Sequence, residues 1–314
     1  ALEMTELMRR HGLEFIDAGI GSLGSTPHAF RLERDVLSKG PIDLLVLEAA
    51  VNDAANGHSA IEQVRAMEGI IRHPEKIVAI KTGKRPSTII NHEKVAAHYG
   101  LPSIDLAEEV AERIAAGEFS WEKDFKNLHP SPFGHELYRK SINRFLDAAS
   151  RLHLAPLPTG RPGNRTLPPP LDKGNYSQGH LEPPESIKPT MGWKLDPKWH
   201  PEGPAKTRPD FVDHPVLLSS GDAEPISIAF IGTAAGVFLT AGPDTATLEF
   251  RTDGGPWEKR ETSTQWSSGL HLPWALVLSA GLPDAPHTLE IRPAQPAENR
   301  SIRIHHVLIN GKLR

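Results

Sequence analysis

Pro41-Ile42-Asp43-Leu44-Leu45-Val46-Leu47-Glu48-Ala49-Ala50-Val51-Asn52-Asp53 is the stretch that decides the fold. Leu44 to Leu47 show no polar alternation, the pattern of a strand buried on both faces, as parallel strands of an α/β sheet are. The apolar run carries on through Val51 and ends in two polar residues. In open α/β sheets ligands bind outside the carboxyl ends of the strands, so Asn52 and Asp53 fall where chemistry is expected. Taken alone, an Asn-Asp pair turns the chain and caps a helix just as readily.

Upstream of that strand, residues 2–10 read as the end of a helix stopped near Gly12, and residues 13–18 as a short strand. Gly19-Ile20-Gly21-Ser22-Leu23-Gly24-Ser25-Thr26 follows as a glycine-rich turn, and residues 30–38 as a helix with Leu32 and Val36 on one face. Downstream, Ser59 caps a helix to Arg72 whose apolar face is Ile61, Val64 and Ile71. A short strand at 76–81, a helix at 87–99 closed by Gly100, and a strand at 102–106 come next. The following helix, to Ala116, spaces Leu106, Val110 and Ile114 four apart, and a last helix presents Tyr138, Ile142, Phe145 and Ala149. Alternating short strands and amphipathic helices predict a three-layer α/β domain over residues 1–152.

The composition then changes. Residues 153–210 are interrupted by prolines, among them Pro168-Pro169-Pro170, yet hold Tyr176, Trp193 and Trp199, aromatics that a purely disordered linker seldom keeps. The expectation is an extended arm laid on one or both domains. Residues 211–314 read as all β, with short runs at 216–218, 226–230, 236–239, 246–250, 288–291 and 301–304 and a hairpin signal at Asp253-Gly254-Gly255. Strands at this spacing predict a β-sandwich of jelly-roll type.

Composition excludes several function classes. The chain has 314 residues, a net charge of −4 with both signs mixed, and no cysteine. It lacks the basic stripe that phosphate backbones require, so nucleic acid is not expected as a partner. The missing cysteines remove disulfides, thiolate metal sites and cysteine nucleophiles together. His305-His306 points to opposite faces of a strand and makes a poor metal site. No cofactor is called for, no apolar run reaches the roughly 20 residues that cross a bilayer, and the first residues do not form a signal peptide.

Three features of the first domain converge: the glycine-rich turn, Asn52 at the end of the next strand, and the loop Asn127-Leu128-His129-Pro130-Ser131-Pro132-Phe133-Gly134-His135. Alone, the turn is only a turn and His129 a surface or capping histidine. Together, in this order and spacing, they resemble the SGNH (GDSL-like) esterase and acetylhydrolase family over roughly residues 12–150. The turn at 19–26 resembles the family's second block, Val51-Asn52-Asp53 its third, and His129-Pro130 with Gly134 its fifth. The resemblance implies a three-layer, flavodoxin-like α/β fold and acyl-ester hydrolysis by a serine activated by His129. It further implies an oxyanion hole made by the Asn52 amide and the backbone N–H of Gly21 or Ser22, according to a one-residue alignment choice. Asp53 is expected to hold the Asn52 loop rather than to react.

The chain departs from that pattern at three places. No Gly-Asp-Ser block is present; Gly221-Asp222 is followed by Ala223, and Ser22 and Ser25 sit in the wrong loop. At Arg72-His73-Pro74-Glu75 the text passes from a helix to the tail of a loop, leaving out a further strand. The expectation is therefore that the native protein carries segments before Ala1 and between His73 and Pro74, the first holding the nucleophile. An intact mass near 34.4 kDa would speak against it. Finally, the family's triad acid lies three residues before the histidine, where this chain has Lys126. Either Asp124 reaches His129, or Asn127 orients the imidazole without charge, or the enzyme works as a dyad.

In the C-terminal region Trp266 and Trp274, with Trp257 and His271 nearby, are candidates for stacking on sugar rings, and equally for core packing. This region is similar to jelly-roll modules attached to carbohydrate esterases. The sequence thus leads to a serine esterase removing acyl, in the first place acetyl, groups from a polysaccharide or oligosaccharide, secreted or periplasmic if so. Its rivals are a catalytically silent glycan-binding protein and a lipase or lysophospholipase of the same family.

Overall fold

Strand pairing starts from the stretch quoted above, but the strand is shorter than expected. In this computed structural model, which describes residues 14–73, 77–151, 167–208, 211–295, 297 and 299–314, only Leu45–Leu47 (β1) is extended. Residues Ala50–Ala55 form a short helix, α2, so Asn52 and Asp53 stand on a helix and not at a strand end. Ala49, Ala50, Ala54 and Ala55 account for this, since alanine is the strongest helix former and Val51 the only β-branched residue among them. The expected burial on both faces also fails: Leu44 and Val46 are 38% and 37% exposed. The sheet has the order β1-β2-β3, so β1 is an edge.

By packing, the chain divides into two units, Pro41–Asn175 and Ala1–Gly40 with Tyr176–Arg314.

In the first unit, β1, β2 (Ile77–Lys81) and β3 (Ser103–Asp105) are parallel, with Leu45 opposite Ile77 and Ala79 opposite Ser103. The helices are α3 (Ala60–Ile71), α4 (Ile89–His98), α5 (Leu106–Ala115) and α6 (Pro132–Arg151). Several boundaries follow from local chemistry. The Ser59 side chain accepts from Glu62 N–H at 3.3 Å and Asp105 from Glu108 N–H at 2.9 Å, each a helix N-cap. Gly100, at φ +59°, ends α4, and Leu101 N–H reaches back to the Ala96 carbonyl at 2.9 Å. Val78 and Ile80 pack with Leu106, Tyr138, Ile142 and Phe145. Ile77 and Ala79, on the opposite face by the alternation of a strand, are buried as well, so β2 is covered on both sides.

Residues 167–175 of the proline-rich arm belong to this unit. Glu68, fully buried on α3, accepts from Leu171 N–H at 2.6 Å, Asp172 N–H at 2.9 Å and the Tyr99 hydroxyl at 2.6 Å. Burial and the Glu68 carboxylate push the Tyr99 phenol up to about 12. Residues 152–166 of the arm, the expected N-terminal helix at 2–10 and Pro74 at the second gap lie outside the described residues.

The second unit is a large curled, mainly antiparallel sheet with one α-helix among its described residues, α1 (Ser25–Asp35). Glu14 to Ala18, expected as a strand, are irregular. The strands are β4 (Gly179–Glu182), β5 (Trp193–Trp199), β6 (Lys206–Thr207), β7 (His214–Ser219), β8 (Ile226–Ala241), β9 (Leu248–Thr252), β10 (Glu258–Arg260), β11 (Leu270–Pro293) and β12 (Arg303–Leu313). Their order is β10-β9-β11-β8-β12-β7-β5, with β4 beside β12 and β6 beside β11. Asp253 and Gly254, at φ +53° and +70°, make the β9–β10 hairpin turn. The expected strands at 226–230 and 236–239 are one continuous β8, paired along β11 and β12 with register shifts. Burial along β8 alternates at first and then becomes continuous, so its second half is covered on both faces. One face packs the core around Ile228, Val237, Leu239, Ile291 and Ile309. On α1, Phe30 meets Tyr176 with ring centroids 5.0 Å apart, and Trp193 and Trp199 are buried, which explains why the arm keeps its aromatics.

Candidate active site

The carboxyl ends of β1 and β2 gather the chemistry-bearing residues of the first unit. Thr82 and Gly83 follow β2, and Glu48 follows β1. Gly83 has φ +91°, and a β-carbon there would lie 2.8 Å from Val51 Cγ2 and 3.4 Å from Leu128 Cδ2. The residues preceding Asn52 and His129 therefore meet at one glycine, which brings the helix of Asn52 and the loop of His129 to the same end of the sheet. Gly83 N–H also donates to the Tyr138 hydroxyl at 3.3 Å. Burial, with the Glu48 and Asp105 carboxylates, pushes that phenol up to about 12. Burial likewise raises the Glu48 carboxyl above its usual range, against the Val51 N–H and the His92 charge.

The His129 loop is built locally. A single π-helical turn, Trp121–Phe125, precedes it, capped by Ser120. Ser131 closes the loop: its N–H donates to the Phe125 carbonyl at 2.9 Å and its hydroxyl accepts from Gly134 N–H at 3.3 Å, capping α6 with Pro132 in the first turn. Gly134 is there for space, because a β-carbon would lie 2.7 Å from Pro130 Cβ and 2.8 Å from Phe125 Cε2. His129 itself is exposed.

Asp124 and Asn127, the two candidates for orienting His129, are both engaged with backbone N–H groups of the loop. The Asp124 carboxylate accepts from Ser120 N–H at 2.8 Å, and among the described residues it makes no hydrogen bond to His129. Asn127 Oδ1 accepts from the His129 backbone N–H at 2.7 Å, so it shapes the loop and leaves the imidazole alone.

Asp53 is fully buried on α2. Oδ1 lies 2.9 Å from His58 Nδ1 and Oδ2 lies 2.7 Å from His92 Nε2. Burial alone would raise this carboxyl, but the two imidazoles outweigh it and hold it well below the usual carboxylate range. Burial works against a charge on His58 too, yet its bond to Asp53 and the nearby Glu62 raise it. Neither histidine stood out in the sequence. His58, five residues after Asp53, was a faint local signal, and His92 offered none.

Gly21 and Ser22 belong to the other unit, where Ser22 takes φ +75° and its hydroxyl lies 3.5 Å from Arg208 Nη2. Trp266 and Trp274 are half-buried on that unit's core, ring centroids 6.4 Å apart and steeply inclined. Trp257 lies against the guanidinium groups of Arg292 and Arg251, 4.0 and 4.6 Å from its ring centre. No group of three or more metal-ligating side chains occurs among the described residues, and no described helix is long and apolar enough to cross a membrane.

No protein-family profile matches the chain, and no curated protein sequence does. Solved structures do match. A two-domain esterase active on acetylated mannans, co-crystallised with mannopentaose, superposes with a TM-score of 0.73 at 19% identity, over 100% of this chain and 84% of that one. A second structure of a two-domain esterase active on acetylated mannans gives 0.72 at 19% identity, over 100% and 85%. At that identity the likeness is one of fold: this chain folds as a two-domain esterase does.

Proposed function

We propose that this chain is a carbohydrate esterase of the SGNH type that hydrolyses acetyl esters on a polysaccharide, mannan-like in the first instance. The observation that carries the reading is the meeting of Val51 and Leu128 at Gly83, which sets Asn52 and His129 at one end of the parallel sheet. The fold shared with esterases active on acetylated mannans supports the choice of substrate.

In this reading a serine hydroxyl, from a block with no match in residues 1–314, attacks the acetyl carbonyl while His129 takes its proton. The Asn52 side-chain amide receives the developing oxyanion; one such donor commonly contributes about a hundredfold to a thousandfold in rate. His129 then returns the proton to the departing sugar hydroxyl, and water repeats the cycle on the acyl-enzyme. With Asp124 engaged at Ser120, the imidazole works as a dyad partner, its ring held by the loop alone. Trp266 and Trp274 offer aromatic surface for sugar rings.

A second reading, a glycan-binding protein without hydrolysis, is favoured by the same two observations, the unmatched nucleophile block and the diverted Asp124. Acetate release from acetylated mannan by the native full-length protein separates them. Release is expected; binding of mannan oligosaccharides without release would favour the second reading, and fatty-acid release from lysophospholipid in place of acetate would point to a lipase.

A further inference from the structure

The buried chain of His58, Asp53 and His92 has no role in the mechanism above, yet Asp53 is the residue next to the proposed oxyanion donor. The helix that carries both, α2, has only six residues. A helix that short does not hold itself in water and takes its orientation from anchors.

The structure supplies those anchors. The Thr88 hydroxyl donates to the Ala50 carbonyl at 2.6 Å at the start of α2. Asp53, near its end, gives one carboxylate oxygen to His58 at 2.9 Å and the other to His92 at 2.7 Å. His92 stands on α4, its side chain 2% exposed. His58 is fixed in turn: Gln63 of α3 donates to its carbonyl at 2.7 Å, and Asn91 of α4 donates to Gln63 at 2.8 Å. A carboxylate held at both oxygens from two directions can neither swing nor rotate, and the next backbone position is set with it. Asn52 precedes Asp53 by one helical step, about 100° around the axis, so fixing Asp53 fixes the side of α2 from which the Asn52 amide projects.

Charged groups face the chain from each element packed against it. Glu62 of α3 acts on His58. From the end of β1, Glu48 faces both His92 and Asp53. On α4, Glu93 acts on His92 while paired at 2.5 Å with Lys81, which is buried at the end of β2.

We propose that His58 and His92 are positioning residues of the active site: each holds one oxygen of Asp53, and together they aim the Asn52 amide at the oxyanion. This rests on the esterase reading above. Oxyanion donors act by being fixed before the charge develops, and a misplacement of about 1 Å can cost on the order of a hundredfold.

The test combines kinetics and imidazole NMR on the native full-length protein. With a nitrophenyl acetate substrate, Asp53→Asn and His92→Ala are expected to lower kcat about 10- to 100-fold with KM changed less than about threefold. His92→Gln, whose amide can donate to the same oxygen, recovers part of the loss. In an Asn52→Ala background the same substitutions cost less than about threefold, because the group they position is gone. An undiminished loss in that background, or a loss confined to KM, overturns the proposal. NMR reads the clamp without activity: His58 titrates above the ordinary histidine value in the parent and in Asn52→Ala, and falls back toward it in Asp53→Asn. An ordinary His58 in the parent overturns the clamp itself. A raised His58 in a parent with no hydrolysis instead removes the esterase reading, and the catalytic role with it.

Discussion

Gly134 and Pro130 stand so close that a β-carbon on the glycine would lie 2.7 Å from the proline Cβ. Gly134 opens the first turn of α6 and Pro130 follows His129, so this contact sets the path of the loop that carries the proposed base. In an ordinary helix Gly→Ala gains about 1 kcal/mol. Here the sign reverses: Gly134→Ala is expected to destabilise by about 1–3 kcal/mol through overpacking, and to lower ester hydrolysis by displacing His129. Urea unfolding with parallel kinetics checks both.

Gly83 combines a left-handed φ of +91° with the close approach of Val51. Gly83→Ala is expected to cost about 1–3 kcal/mol of backbone strain in addition to the collision. Adding Val51→Ala removes the collision and leaves the strain, so the double variant recovers part of the stability. If it recovers none, the glycine is needed only for its φ.

Glu68 ties the arm to the first unit through two backbone N–H groups and the Tyr99 hydroxyl. Glu68→Ala leaves buried donors unpaired, each costing about 1–3 kcal/mol. Residues 167–175 are expected to become far more sensitive to protease in this variant, and less so in Glu68→Gln, which keeps one of the two acceptor oxygens. Limited proteolysis read by mass spectrometry checks this.

The second unit is expected to lose stability in mild acid. Burial, reinforced by His306, His214 and nearby arginines, lowers His305 to about 3. Burial and Arg34, whose Nη1 lies 2.7 Å from His306 Nε2, lower His306 to about 4. In the unfolded chain both titrate near 6.5. Between these values the unfolded state binds protons that the folded state refuses, so the stability is fully present above about pH 6.5 and falls as pH drops toward 4. The slope is about 1.4 kcal/mol per pH unit for each imidazole. The lowered carboxyls of Asp35 and Asp253 lose their contribution in the same direction at lower pH, while the raised His287 acts against it. His306→Gln should flatten the pH dependence of unfolding by about one proton.

Punctuation set by neighbouring residues was readable without a structure. The Ser59 cap, the Gly100 stop and the Asp253-Gly254 turn are each fixed within a few residues, and each is where the sequence put it. The break expected between the strands at 226–230 and 236–239 is not there, and Gly232 lies inside one strand. In β8 it is the place where the Asn310 carbonyl approaches so closely that a β-carbon would collide with it. A motif singles out Asn52 and His129 in the sequence, but the alanines around Asn52 make a helix where the apolar run alone reads as a strand. The grip on Asp53 was not legible, because His92 comes to it across 39 residues of chain. Asp124 shows the opposite case, a carboxylate near the right place in sequence whose nearest N–H, that of Ser120, engages it first.

In the proposed mechanism His129 drives removal of acetyl groups from a polysaccharide. Acetate released from acetylated mannan by the native full-length protein and its His129→Ala variant, together with the affinity of both for a mannan oligosaccharide, tests it most directly. Release is expected to fall about a thousandfold or more in the variant while affinity stays within about twofold. Equal release by both proteins, or none by the parent, would contradict it.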